Sequence, residues 1–202
     1  MLVLGILITT SRYPTRRVRS FVKDLVSIIP NALSTNRGTM NLMDVAAYAI
    51  KNDCNRVAIV NTWKGNPGKI NLYEIRERKL IQISPIVYIK GVVLRRELRE
   101  SPYKKARIRL KQVFYYIDSI DKSDRSYNLL KSMFSFFGYE PIVSISMVKD
   151  GQAFSYATKI NSQIRIEIKI RQKDRFFDVG PILRIVLMEV PKHVQSKVRD
   201  NY

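Results

Sequence analysis

The chain has 202 residues, with 36 Lys and Arg against 17 Asp and Glu for a formal net charge of +19, and 46% of its residues are apolar. That apolar share excludes an intrinsically disordered chain. The lone cysteine, Cys54, excludes an internal disulfide, and one Cys with one His (His193) cannot supply a tetrahedral zinc site.

The charge is lopsided. Residues 1–111 hold 22 basic and 7 acidic side chains, residues 112–202 hold 14 and 10. Such an excess repels itself in a compact state and persists where a polyanion offsets it, which points first to nucleic acid. The alternative, a solvated heat-adapted surface, balances Lys with Glu, and this chain does not. Met1–Ile8 is apolar but too short to span a bilayer, and no basic stretch precedes it as in a signal peptide. A soluble, cytoplasmic protein without a membrane partner is expected.

In chain order, Met1–Thr10 reads as a buried strand broken at Tyr13-Pro14. From Thr15, Val18, Phe21, Val22, Leu25, Ile28 and Ile29 form one apolar stripe on a helix ending at Pro30. After a short extended or looped piece at Asn31–Arg37 closed by Gly38, Asn41–Lys51 reads as a second helix capped by Thr39 or Asn41. Arg56–Trp63 and Ile70–Arg76 make a hairpin across a turn at Lys64–Lys69, and Leu80–Ile83 and Ile86–Leu94 are further strands. The first half is therefore a βαβαβββ lobe.

Arg95–Lys111 is a basic connector broken at Ser101-Pro102. After it the pattern restarts, with a strand at Arg107–Tyr116 and a helix at Ser123–Phe137 whose apolar positions echo Phe21–Ile29 about 108 positions earlier. Ile142–Val148 and Gln152–Lys159 flank Lys149-Asp150-Gly151 as a second hairpin. Ile164, Ile166, Ile168 and Ile170 alternate with charged residues as a half-buried strand, a face that leaves dimerisation open. Phe176–Val179 and Ile182–Val190 finish the sheet, and 191–202 is a polar tail. The class is α/β (α+β).

No catalytic constellation, cofactor motif or metal-ligand spacing stands out. Asp118, Asp121 and Asp124 are the one acidic cluster, readable as a Mg²⁺ site for phosphodiester cleavage or, at this spacing before a helix, as caps. His193 reads as a surface residue and Cys54 as packing rather than a nucleophile. The basic groups carry more. Arg12, Arg16 and Arg17 flank a helix start, where cations oppose the dipole at a cost of about 0.3–1 kcal/mol each unless an anion is bound. Asn36-Arg37-Gly38 is a donor-rich loop, and Lys64–Lys69 serves either as a turn or as a contact. Tyr13 and Trp63 border these groups and are suited to stacking on unpaired bases, though Trp63 equally suits a core. The connector holds eight cations against Glu97 and Glu100, either a solvated face or a phosphate stripe across the joint. The candidate RNA-binding set is Arg12, Tyr13, Arg16, Arg17, Arg19, Asn36, Arg37, Lys64, Lys69, Arg95, Arg96, Lys104 and Lys105.

The run Ile6–Arg17 (Ile-Leu-Ile-Thr-Thr-Ser-Arg-Tyr-Pro-Thr-Arg-Arg), then Asn36-Arg37-Gly38, Val57–Gly68 and Asp178-Val179-Gly180-Pro181 together resemble the Brix-domain family. The resemblance is to its short archaeal ribosome-biogenesis members, related to a eukaryotic small-subunit processome component, and it covers nearly the whole chain. It implies one Brix domain over 1–190, with halves 1–94 and 107–190 joined by 95–106. Each half would resemble the anticodon-binding domain of class II aminoacyl-tRNA synthetases. It further implies binding to precursor rRNA and the small ribosomal subunit precursor, a role in rRNA processing, and no enzymatic activity. The family's RNA-binding surface would fall on Arg12, Arg16, Arg17, Asn36, Arg37 and the loop near Lys64. After Gly180-Pro181, where relatives often have a basic residue, this chain has Ile182, with Arg184 further on. Other classes compatible with the residues are a structural ribosomal or tRNA-binding protein and a metal-dependent nuclease.

Overall fold

Alternating and helical apolar patterns resolve, in a computed structural model that describes residues 5–191, into one mixed eleven-stranded sheet with three helices. The elements are β1 (Gly5–Thr10), α1 (Arg16–Ile28), β2 (Ala32–Ser34), α2 (Leu42–Lys51), β3 (Cys54–Trp63), β4 (Asn66–Arg76) and β5 (Lys79–Val93). A 3₁₀ turn at Arg95–Glu97 and an irregular connector lead to β6 (Val113–Asp118), α3 (Arg125–Phe136), β7 (Glu140–Pro141), β8 (Ala153–Ile160), β9 (Gln163–Gln172), β10 (Arg175–Asp178) and β11 (Ile182–Met188). The βαβαβββ order of the first half is the expected one. Residues 1–4 of the predicted first strand, and the tail from 192 with His193, lie outside the described residues.

Across the sheet the order is β2-β1-β3-β4-β5-β11-β9-β8-β6-β7, with β10 added to β9. β1 runs parallel to both neighbours, β2 and β3, and β6 is parallel to both β7 and β8; the other ladders are antiparallel. The central join is β5 against β11, which pairs Ile86 with Met188 and Val93 with Ile182.

The helices begin where side chains satisfy their free N–H groups. Thr15 accepts from Val18, Asn41 and Asp44 form a reciprocal capping box, and Asp124 accepts from Ser126. α1 and α3 pack their apolar stripes on one face of the sheet, where Ile6, Ile8, Ala58, Val60, Leu72, Val113 and Tyr115 join Phe21, Leu25, Leu130 and Phe134 in one core. α2 covers the opposite face at one end only, over Leu7, Val57 and Ile59 and beside Tyr73, Ile75 and Leu80.

Five expectations change. Leu80–Ile83 and Ile86–Leu94 form a single strand, β5, because Ser84-Pro85 falls in a bulge. Ile83 pairs with Leu72 and Val87 with Ile70, so three residues oppose Asn71 and the missing proline donor lies outside the ladder. The predicted strand Arg107–Tyr116 starts only at Val113. Ile108 and Leu110 alternate because they pack on the core beside α1, where the Leu110 N–H donates to Ser27 O (2.9 Å). Ile142–Val148 is not a strand but contains a 3₁₀ turn, and Lys149–Gly151 does not join a hairpin. The hairpin is β8–β9, turning at Asn161-Ser162 with Asn161 at φ 55°. The turn at Lys64–Lys69 is only Lys64-Gly65, with φ of 45° and 79°; Asn66–Lys69 already belong to β4. Finally, Ile164, Ile166, Ile168 and Ile170 are buried in the core, so that face is not free for a second chain.

Candidate nucleic-acid interface

Because β1, β2 and β3 are parallel, their C-terminal ends lie on one side, the position where open α/β sheets hold ligands. Hydroxyl side chains tie the segments leaving those ends together. Thr9 Oγ1 donates to Thr35 O (2.9 Å), the hydroxyls of Ser11 and Thr62 lie 3.4 Å apart, and Thr15 Oγ1 donates to Gly65 O (2.7 Å). Three groups far apart in sequence thus meet: Arg12–Thr15, Thr35–Gly38 and Trp63–Gly65. Arg12, Asn36 and Lys64 are exposed there, and Arg37 is half-buried with its Nε donating to Met40 O (3.1 Å). Tyr13 is 91% and Trp63 69% exposed, which removes Trp63 from the core. A Cβ at Gly68 would sit 2.3 Å from the Trp63 Cβ, so the glycine lets β4 pass against the tryptophan.

Along α1, Val18, Phe21, Val22 and Leu25 are buried while Arg16, Arg19 and Lys23 are exposed at i, i+3 and i+7, one cationic face. The first turn holds no acidic residue. Arg17 points elsewhere. Its guanidinium meets the Glu97 carboxylate and donates to Val92 O (3.2 Å), an ion pair that lowers the Glu97 pKa and raises that of Arg17. The Arg95 N–H donates to Asp24 Oδ2 (2.9 Å) and its guanidinium to Ser27 Oγ (3.3 Å), and burial pushes the Asp24 carboxyl up. Arg17 and Arg95 therefore fasten the connector to α1. Arg96 is exposed and donates to Ser20 Oγ (3.2 Å), beside the cationic face. Lys104 and Lys105 are exposed on the connector turn. Lys69 lies within β4, its ammonium 6.0 Å from the Tyr88 ring centroid. Helical spacing from Arg16 and Arg19 was signal enough to add Lys23; that signal was missed.

The acidic cluster disperses to separate partners. Asp118 accepts from Tyr156 Oη (2.6 Å), Asp121 from Ser123 N–H and Oγ (2.8 Å each), and Asp124 from Ser126 N–H (2.8 Å) and Lys159. Among the described residues no group of three or more His, Cys, Asp or Glu converges as metal ligands. Cys54 is buried under α2, and burial raises its thiol pKa, the opposite of an activated nucleophile. No helix among the described residues is long and apolar enough to cross a membrane.

No family model matches the chain. A probable Brix domain-containing ribosomal biogenesis protein of Sulfurisphaera tokodaii is 29% identical over 191 residues, covering 95% of this chain and 97% of that one. A protein of the same description from Aeropyrum pernix is 44% identical over 93 residues, 45% of this chain and 51% of the relative. Among solved structures, a probable ribosomal biogenesis protein from Aeropyrum pernix K1 superposes with a TM-score of 0.71 at 25% identity, covering 91% of this chain and 96% of the other.

Proposed function

The chain belongs to the archaeal Brix-domain family of ribosomal biogenesis proteins, and from that footing we propose that it is an RNA-binding assembly factor. It holds precursor rRNA in the small-subunit precursor during rRNA processing and performs no chemistry of its own. The observation that carries the reading is the convergence of Arg12, Tyr13, Arg16, Trp63 and Lys64 at the joined ends of β1 and β3, cations beside two exposed aromatic rings. Cations neutralise phosphates and the rings stack on unpaired bases. Arg17 acts here by positioning α1 against the connector.

The reading includes one Brix domain over 1–190 made of two related halves, 1–94 and 107–190, joined by 95–106 and each like the anticodon-binding domain of class II aminoacyl-tRNA synthetases. Its support is the repeated local order: β1 and β6 each lie between two parallel neighbours, and each is followed by a helix. An rRNA precursor as partner places the protein in the cytoplasm.

The test is binding to a transcript of the small-subunit rRNA precursor across a salt series. Arg16→Glu combined with Lys64→Glu is expected to weaken binding at least tenfold and to flatten the salt slope by about 0.7–0.9 per lost phosphate contact. An unchanged affinity and slope would remove the interface from these residues. Sedimentation of cell extracts is expected to place the protein with precursor particles; retention on mature subunits would favour a structural ribosomal protein.

A further inference from the structure

Gly91 lies inside β5 without a positive φ, where a glycine weakens a strand. Its partner across the central join is Arg184 of β11. A Cβ at Gly91 would meet Arg184 Nη2 at 2.8 Å, Nε at 2.9 Å and Cζ at 3.2 Å. The three near-equal distances lay the guanidinium across the strand in the space the glycine leaves. Arg184 is exposed, and its side chain has no hydrogen bond or ion pair among the described residues. On its other side it stands directly opposite Arg165 of β9, a like-charge pair that costs stability, and Arg165 is answered by Glu167 at 2.6 Å.

A second irregularity adds to the same place. Ile89 pairs with Ile185 and Gly91 with Arg184, so Lys90 is an extra residue. Ile89 and Val92 both pack on the core, which leaves Lys90 and Gly91 on the opposite face, with Lys90 exposed. On that face Tyr88 precedes Lys90 in β5, and one strand away Lys69 of β4 pairs with Tyr88. α2 does not reach here, since it covers the far ends of β3, β4 and β5. Lys64, Lys69, Lys90 and Arg184 therefore step from the β3–β4 turn across β4, β5 and β11, about 15 Å at roughly 4.8 Å per strand.

We propose that this row is a second phosphate track, on which the backbone of an RNA strand held at the Arg12–Lys64 cluster continues across the β5–β11 join and is gripped by Arg184. The proposal rests on the RNA-binding reading above. Gly91 is the seat that holds the guanidinium ready, and Arg184, opposed by Arg165 and without a carboxylate of its own, is the charge that a phosphate offsets.

The experiment measures binding of the rRNA-precursor transcript across a salt series, with thermal unfolding of each variant alongside. Lys90→Glu combined with Arg184→Glu is expected to weaken binding at least tenfold and to flatten the salt slope by about one to two. Gly91→Ala keeps every charge but takes the guanidinium's seat, and it is expected to weaken binding two- to fivefold at unchanged melting temperature. If both sets bind as wild type while Arg16→Glu loses affinity, the track is overturned and the RNA-binding reading stands. If the wild-type protein does not bind the transcript, the reading falls and the track with it.

Discussion

The Asp124 carboxylate accepts from Lys159 Nζ and from the Ser126 N–H that it caps, and these, the lysine foremost, hold its pKa at about 2 against an ordinary 3.8. A depressed carboxylate pKa contributes stability above the unfolded value that is lost as pH falls through the folded one. Asp124→Asn keeps a capping side chain but cannot ionise. The variant is therefore expected to melt below wild type at pH 6, with the gap closing between pH 4 and pH 2. A gap independent of pH, in melts followed by circular dichroism, would refute the ion-pair account. Asp124 as a cap was legible in the sequence because capping depends on a side chain and its next few residues. Which of the adjacent Arg16 and Arg17 faces outward was not, because the partner that turns Arg17 inward, Glu97, lies 80 positions away. The exposure of Trp63 was equally hidden, since an indole suits either a core or a surface until its strand's neighbours are known.

At the scale of elements, β3 and α3 are fastened by one side chain. Arg56 of β3 donates to the carbonyls of Phe136 and, at 3.3 Å, Ser135, the last turn of α3, and its guanidinium lies 5.9 Å from the Phe136 ring centroid. A cation there satisfies free carbonyls and meets the negative end of the helix. Arg56→Ala is expected to destabilise the fold by about 1.5–3 kcal/mol in urea denaturation, with Arg56→Lys recovering part of it. A loss below about 0.5 kcal/mol would show that the clamp carries no weight. The three helices were readable to within two residues because periodicity and caps are local. Strand limits were not. Pro85 looks like a break but occupies a bulge, Ile108 and Leu110 alternate without a ladder, and Asp150-Gly151 looks like a hairpin turn without joining two strands. In each case a distant partner strand, or its absence, decides.

For the whole molecule, the core that α1 packs on is continuous with the one under α3: Ile6, Phe21 and Leu72 belong to the same cluster as Phe134, Ile166 and Ile185. The β5–β11 ladder joins strands β1–β5 to strands β6–β11 across the middle of the sheet. Calorimetry is therefore expected to show one transition, with calorimetric and van't Hoff enthalpies in agreement. Two resolved transitions would mean that the halves fold independently and that the shared core is not cooperative. The basic first half is visible in composition alone, but its loops gather at one end only because β1 pairs in parallel with β2 and β3. Composition gives the excess of cations; topology gives where they gather.

The β5–β11 ladder also has a consequence for the chain while it is being made. The 15 residues of β5 are synthesised by Val93, but the strand that pairs with their outer edge begins only at Ile182. At roughly 5–20 residues per second a ribosome needs on the order of 5–20 s to cover that interval. For that time a long hydrogen-bonding edge stands open to any other nascent chain. The protruding Lys90 is the kind of irregularity and charge that keeps such an edge from pairing wrongly. The same bulge that presents a cation in the finished protein thus guards the unfinished one.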